Sequence, residues 1–168
     1  ILSSAFCLAC ISVLQAVLPA DLHAEVKVSN IFSDHMVLQQ KQENKVWGKA
    51  APGATVTVTI SDQSHQATAD ADGDWSVMLS SLPAGGPHVL TVADDDDEIK
   101  INDVLVGEVW VCSGQSNMQW RVSAAYDYDL EALVADNPNL RMINYPRVGA
   151  QEPVWDYSLE AYPDTVWK

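Results

Sequence analysis

Gly107-Glu108-Val109-Trp110-Val111-Cys112-Ser113-Gly114-Gln115-Ser116-Asn117-Met118 closes an apolar run that begins at Val104. A continuous apolar run ended by small and amide residues predicts a buried strand, Val104 to Cys112, that stops at a serine-bearing turn. In an α/β sheet ligands bind outside the carboxyl ends of the strands, so a hydroxyl there lies at the mouth of the sheet. A helix starting just beyond would aim its first N–H groups and its dipole at an oxygen anion formed on that serine. The same local pattern also describes a buried strand that simply ends in a Ser/Gly/Asn turn, which is the commoner case.

Upstream, the chain reads as short strands between turn signals, which predicts a small β-sandwich over residues 25–103. Thr55-Val56-Thr57-Val58-Thr59-Ile60 alternates, so Val56, Val58 and Ile60 should share a buried face. Trp75, Val77 and Leu79 form a second alternating set, and Leu90 with Val92 and Ile99 with Ile101 supply two more. Pro52-Gly53 and Pro83-Ala84-Gly85-Gly86-Pro87 are turns. Two acidic clusters, Asp70/Asp72/Asp74 and Asp94-Asp95-Asp96-Asp97-Glu98, invite a calcium reading. Neither has a complete ligand pattern: Gly73 stands fourth from Asp70, where an EF-hand loop needs glycine sixth. Both are read as solvated hairpin turns.

Downstream the period changes. Tyr126, Leu130, Leu133 and Val134 fall on one helical face, and Asn137-Pro138 stops that helix. Leu140 to Tyr145 then reads as a strand. Strand, turn, helix and strand make a right-handed βαβ unit, the start of a parallel sheet. Two such strands cannot cover themselves, since parallel sheets bury both faces, so residues 104–168 are expected to open a longer domain.

Gly114-Gln115-Ser116-Asn117-Met118, preceded by Gly107-Glu108-Val109-Trp110, resembles the nucleophile block of the sialate O-acetylesterase family, a group of SGNH-type hydrolases. Ile31-Phe32-Ser33-Asp34-His35-Met36-Val37-Leu38-Gln39 resembles that family's opening strand motif, and Val46-Trp47-Gly48 and Pro52-Gly53 follow as they do there. Fainter echoes lie at Leu140 to Tyr145 and around Trp155.

The resemblance implies an α+β protein, an N-terminal β-sandwich followed by the truncated start of an α/β SGNH-type (flavodoxin-like) hydrolase domain. It makes Ser116 the nucleophile, with its own backbone N–H the first oxyanion donor, on a turn supported by Gly114, Gln115 and Asn117. It also places the base and its acid, an Asp-x-x-His pair, outside this chain. Ser113 is the competing serine. Of the four histidines, His23 is in the leader region and His65 and His88 fall in apparent turns or strand ends of the sandwich. His35 adjoins Asp34, but neighbouring strand side chains point to opposite faces, so His35 is read as structural. Core packing is the default for Trp110, Trp120 and Trp155.

Residues 1–24 read as a signal peptide or leader, uncharged from Ile1 to Ala20 and followed by small residues suited to cleavage. An uncleaved anchor is the alternative, since twenty apolar residues can span a bilayer. With cleavage, the protein is expected to be secreted or periplasmic. Nine basic against 23 acidic residues give a net charge of −14, which argues against nucleic acid and anionic membranes as partners. Cys7 and Cys10 fall in the leader, leaving Cys112, which is expected to pack in its strand. No metal and no organic cofactor is implied.

The function so implied is hydrolysis of O-acetyl esters of sugars through a serine acyl-enzyme, with an acetylated sugar or glycan as substrate. The alternative is a glycan-binding or spacer β-sandwich attached to a degenerate hydrolase domain. The β-rich first half supports the second reading and the Gly114 to Met118 block the first.

Overall fold

The computed structural model describes residues 24–147, 149 and 151–168, and β-strands dominate them. The expected leader lies outside the described residues, apart from Ala24. Eight strands follow in order: β1 (Lys27–Val28), β2 (Val37–Gln39), β3 (Asn44–Lys49), β4 (Thr55–Ile60), β5 (Gln63–Thr68), β6 (Asp74–Leu79), β7 (Gly85–Ala93) and β8 (Glu98–Gly107). One sheet has the order β1-β3-β6 and the other β2-β8-β7-β4-β5. Every pairing is antiparallel except β2 with β8.

Alternation decides which faces meet. Val56, Val58 and Ile60 of β4 and Leu90 and Val92 of β7 are fully buried, facing Val46 of β3 and Trp75, Val77 and Leu79 of β6 in one apolar cluster. The two sheets therefore share a single core, the arrangement that period-two patterning favours. Both acidic clusters are turns. Asp70 accepts the Asp72 and Asp74 N–H groups at 2.9 Å each, and Asp94 accepts those of Asp96 and Asp97 at 3.0 and 2.8 Å. These aspartates take up the N–H groups of tight turns, a common role for the residue.

Gly48 explains the Val46-Trp47-Gly48 block. A Cβ at this position would lie 1.8 Å from the Lys27 carbonyl oxygen and 2.7 Å from the Trp75 ring. Only glycine lets β1 close onto β3 while the indole lies across the same strand.

Several expectations change beyond residue 103. β8 runs through the expected 103/104 boundary, and its ladder with β7 extends to Val106 and with β2 to Gly107, so residues 104–107 belong to the five-stranded sheet. The expected strand to Cys112 is not formed past Gly107. Trp110 and Val111 are 82% and 90% exposed, and the Cys112 thiol is exposed rather than packed. An apolar run predicts a buried strand only where a second surface covers it, and among the described residues none covers this one. Trp120 and Trp155 are likewise exposed, against the core default.

The helix expected from Tyr126 to Val134 shrinks to α1 (Tyr128–Ala132), preceded by 3₁₀ turns at Ser116–Gln119 and Val122–Ala124. Its N-cap, Asp127, is left-handed (φ 59°) and makes no side-chain cap, and none of its residues is buried. A helix this short depends on packing for its stability. Leu140 to Tyr145 forms no strand; Met142 and Lys168 exchange a pair of backbone hydrogen bonds at 2.9 Å.

Candidate functional site

β8 delivers the chain to the candidate turn, and β2 controls how it leaves the sheet. Gln39, the last residue of β2, lies beside Gly107 in the parallel register. The Val109 N–H donates to Gln39 Oε1 at 2.7 Å, and Gln39 Nε2 donates to Glu108 Oε2 at 3.2 Å. Gln40 Nε2 donates to Glu108 Oε1 at 2.5 Å, and the Gln40 N–H to the Gly107 carbonyl at 2.8 Å. Hydrogen bonds from Gln39, then Gln40, hold the Glu108 carboxyl below the usual carboxylate range.

From Glu108 to Gln115 the chain has no ladder and is exposed. Gly114 has φ 156°, and a Cβ there would lie 2.8 Å from Met118 Cγ. Ser116 opens the 3₁₀ turn, which is closed by the Met118 N–H on the Gln115 carbonyl at 3.0 Å and the Trp120 N–H on the Asn117 carbonyl at 3.3 Å. Its hydroxyl makes no hydrogen bond among the described residues, so it stands exposed. Gln115 sits at the N-cap without a side-chain bond. Ser113 and Asn117 are also exposed.

His35 is paired, but with a residue that the sequence order hides. Its Nδ1 lies 2.7 Å from Asp103 Oδ2, which also accepts from Arg141 Nη1 at 2.8 Å. His35 and Asp103 both have left-handed backbones, φ 69° and 54°, and face each other across the start of the β2–β8 pairing. Asp34 points elsewhere, accepting the Asn102 N–H at 2.7 Å. Arg141, and then His35, hold the Asp103 carboxyl below its ordinary range. Among the described residues, no hydrogen bond joins this group to Ser116. It is a structural tie between β8 and the segment after α1, and the expectation that His35 is structural fits that geometry.

A second tie binds residues 155–168 to the β1–β2 turn. Asp156 accepts from the Ser29 hydroxyl at 3.1 Å, and the Asn30 N–H lies 3.0 and 2.9 Å from its two oxygens. Trp47 Nε1 donates to the Trp155 carbonyl at 3.1 Å and Trp167 Nε1 to the Ile31 carbonyl at 2.8 Å. The Tyr157 hydroxyl lies 2.9 Å from the Thr165 carbonyl and 3.1 Å from that of Asn30, sharing one proton between two acceptors.

Burial, helped by the Asp156 charge, pushes the Tyr157 hydroxyl up to about 12. A raised folded-state value means that the protonated form is the one favoured by the fold. Its contribution is full below the unfolded value near 10 and lost as pH rises toward 12. Wild type should therefore melt above Tyr157→Phe at pH 8, and the gap should close between about pH 10 and 12. Thermal melts of the two proteins across that range check this; a constant gap would refute it.

No motif or spacing in the sequence singles out Gln39, Gln40, Glu108, Asp103 or Arg141. The first three lie within or beside the two quoted blocks, and their adjacency depends on the parallel β2–β8 pairing.

No family model matches the chain. It is 32% identical to the human sialate O-acetylesterase over 158 residues, covering 86% of this chain and 30% of that protein. The mouse sialate O-acetylesterase is 34% identical over 116 residues, 62% of this chain and 21% of that protein. Among solved structures, a carbohydrate acetylesterase from Xanthomonas citri superposes with a TM-score of 0.77 at 34% identity, covering 85% of this chain and 32% of the other. The chain thus spans about a third or less of the length of these relatives.

Proposed function

We propose, from the premise that the chain belongs to the sialate O-acetylesterase-like family, that the full-length protein is a carbohydrate O-acetylesterase with Ser116 as its nucleophile. The observation that carries this reading is the exposed Ser116 hydroxyl on the Gly114 to Met118 turn, at the end of the path out of β8. The two-sheet body is then a β-sandwich, and residues 108–168 contribute the opening turn and first helix of an SGNH-type hydrolase domain.

The chemistry follows from the need to make a weak alcohol nucleophilic. A histidine from the remainder of the protein takes the Ser116 proton as Oγ attacks the acetyl carbonyl carbon. The backbone N–H of Ser116 faces the resulting oxyanion. The bond to the sugar oxygen breaks, that oxygen takes the proton from the histidine, and water then releases acetate by the reverse sequence. Gly114, Gln115 and Asn117 shape the turn. Substrates of this class are acetylated sialic acids and acetylated plant polysaccharides. Neutral glycans are not repelled by a chain of net charge −14. Secretion or periplasmic export follows from the leader read at residues 1–24, and amino-terminal sequencing of the exported protein tests it.

Incubating the full-length protein with O-acetylated sialic acid and with acetylated xylan, and measuring acetate, tests the function. Release from either supports it. No release from any acetylated sugar, together with the lack of an Asp-x-x-His pair in the remaining sequence, would leave the sandwich as a binding or spacer module.

A further inference from the structure

We infer that Gln39 is a positioning residue for the nucleophile turn, fixing through its side-chain amide the direction in which the chain leaves β8 toward Ser116. The inference rests on the reading of Ser116 as nucleophile. It gives the opening block of residues 31–39 a task beyond forming an edge strand.

The geometry is directional. An amide side chain carries an acceptor oxygen and a donor nitrogen on the same carbon. Gln39 uses both on consecutive residues: Oε1 takes the Val109 N–H at 2.7 Å and Nε2 meets the Glu108 carboxylate at 3.2 Å. The main chain of Gln39 is itself held from both sides. Its N–H donates to Asn44 Oδ1 at 3.1 Å, and Asn44 Nδ2 returns a bond to its carbonyl at 2.9 Å. The side chain thus projects from a fixed point.

The place of this grip matters as much as its geometry. The ladder with β8 ends at Gly107, and no strand pairing restrains residues 108–115 afterwards. The Gln39 and Gln40 side chains make the last side-chain hydrogen bonds to this path before Ser116 among the described residues. An error in heading at Val109 is carried along this unpaired segment to the reacting oxygen, where a displacement near 1 Å costs on the order of 100-fold in rate.

The chemistry dictates the test. Gln39→Glu keeps the shape and the acceptor for Val109 but sets two carboxylates against each other. Adding Glu108→Gln exchanges the roles, so that a carboxylate at 39 and an amide at 108 restore the pair. In the full-length protein, Gln39→Glu should lower kcat for a chromogenic acetyl ester by about 10- to 100-fold with KM nearly unchanged. The ratio of variant to wild-type kcat should rise as pH falls and one carboxyl takes a proton. The Q39E/E108Q double variant should recover most of the loss at neutral pH.

Amide exchange of Val109, followed by NMR in the 168-residue chain, supplies a readout independent of catalysis. It should accelerate at least tenfold in Gln39→Ala and stay slow in the double variant. If Ser116→Ala is inactive while Gln39→Glu keeps wild-type kcat, the positioning role is overturned and the esterase reading stands. Unchanged Val109 exchange in Gln39→Ala overturns it as well. If Ser116→Ala retains activity, the esterase assignment of Ser116 fails, and the Gln39 role fails with it whatever the exchange data show.

Discussion

Ser116→Ala in the full-length protein is expected to reduce turnover of an acetyl ester by on the order of a million-fold, leaving what binding and oxyanion donors supply. The fold should be untouched. The side chain is exposed, makes no hydrogen bond among the described residues, and loses one oxygen at a turn closed by backbone bonds from Met118 and Trp120. Surface substitutions of this kind change stability by less than about 0.5 kcal/mol. A chromogenic acetyl ester assay, with a thermal melt on the same sample, separates loss of chemistry from loss of structure. Ser113→Ala should keep most activity, because Ser113 lies before the glycine that aims the turn. The reverse pattern, an inactive Ser113→Ala beside an active Ser116→Ala, would move the nucleophile. The 168-residue chain alone should turn over little ester, since His35 is held by Asp103 and His65 by Gln63 at 2.8 Å, and no hydrogen bond among the described residues joins a histidine to Ser116.

Strands with one wet and one dry face were legible because burial leaves a period-two record. Val56, Val58 and Ile60 were readable as core, as were Trp75, Val77 and Leu79, and all six are buried. β5, Gln63–Thr68, left no such record. It is an edge strand bonded only to β4, and its polar sequence suits a strand with one free edge. The parallel β2–β8 pairing was also hidden, since three residues cannot display a period and their partners lie 68 positions away in sequence.

The stretch from Val109 to Val134 failed in the opposite sense. Its apolar residues promise a strand and a helix, but that pattern records a surface meant to be covered. Val111, Trp120, Leu130 and Leu133 are exposed in the described structure, and α1 keeps only five residues. The turn at Ser116 was legible from its motif, whereas its support was not. Gln39 reaches Glu108 and Val109 across some seventy positions, and only the register of a parallel pair brings them together.

Gly48→Ala should be among the most destabilising single-methyl changes in the chain, with a loss of about 3 kcal/mol. Added methyl groups in well-packed sites cost about 1–3 kcal/mol where neighbours can shift. Here the atom 1.8 Å away is the Lys27 carbonyl oxygen, part of the β1 backbone, with the Trp75 ring 2.7 Å off on the other element. Trp75 is almost fully buried and has little room to move, so β1 must give way. Lifting β1 breaks its pairing with β3 and displaces Ser29 and Asn30, which follow it directly and hold the Asp156 carboxylate. The same methyl therefore loosens the tie to residues 155–168, although none of them touches Gly48. A chain of this size loses about 2–4 °C in Tm per kcal/mol, so the melt should fall by on the order of 10 °C. Limited proteolysis should then cut near Trp155 faster than in wild type. A Gly48→Ala protein that melts with wild type would show that β1 does not sit against β3 as described.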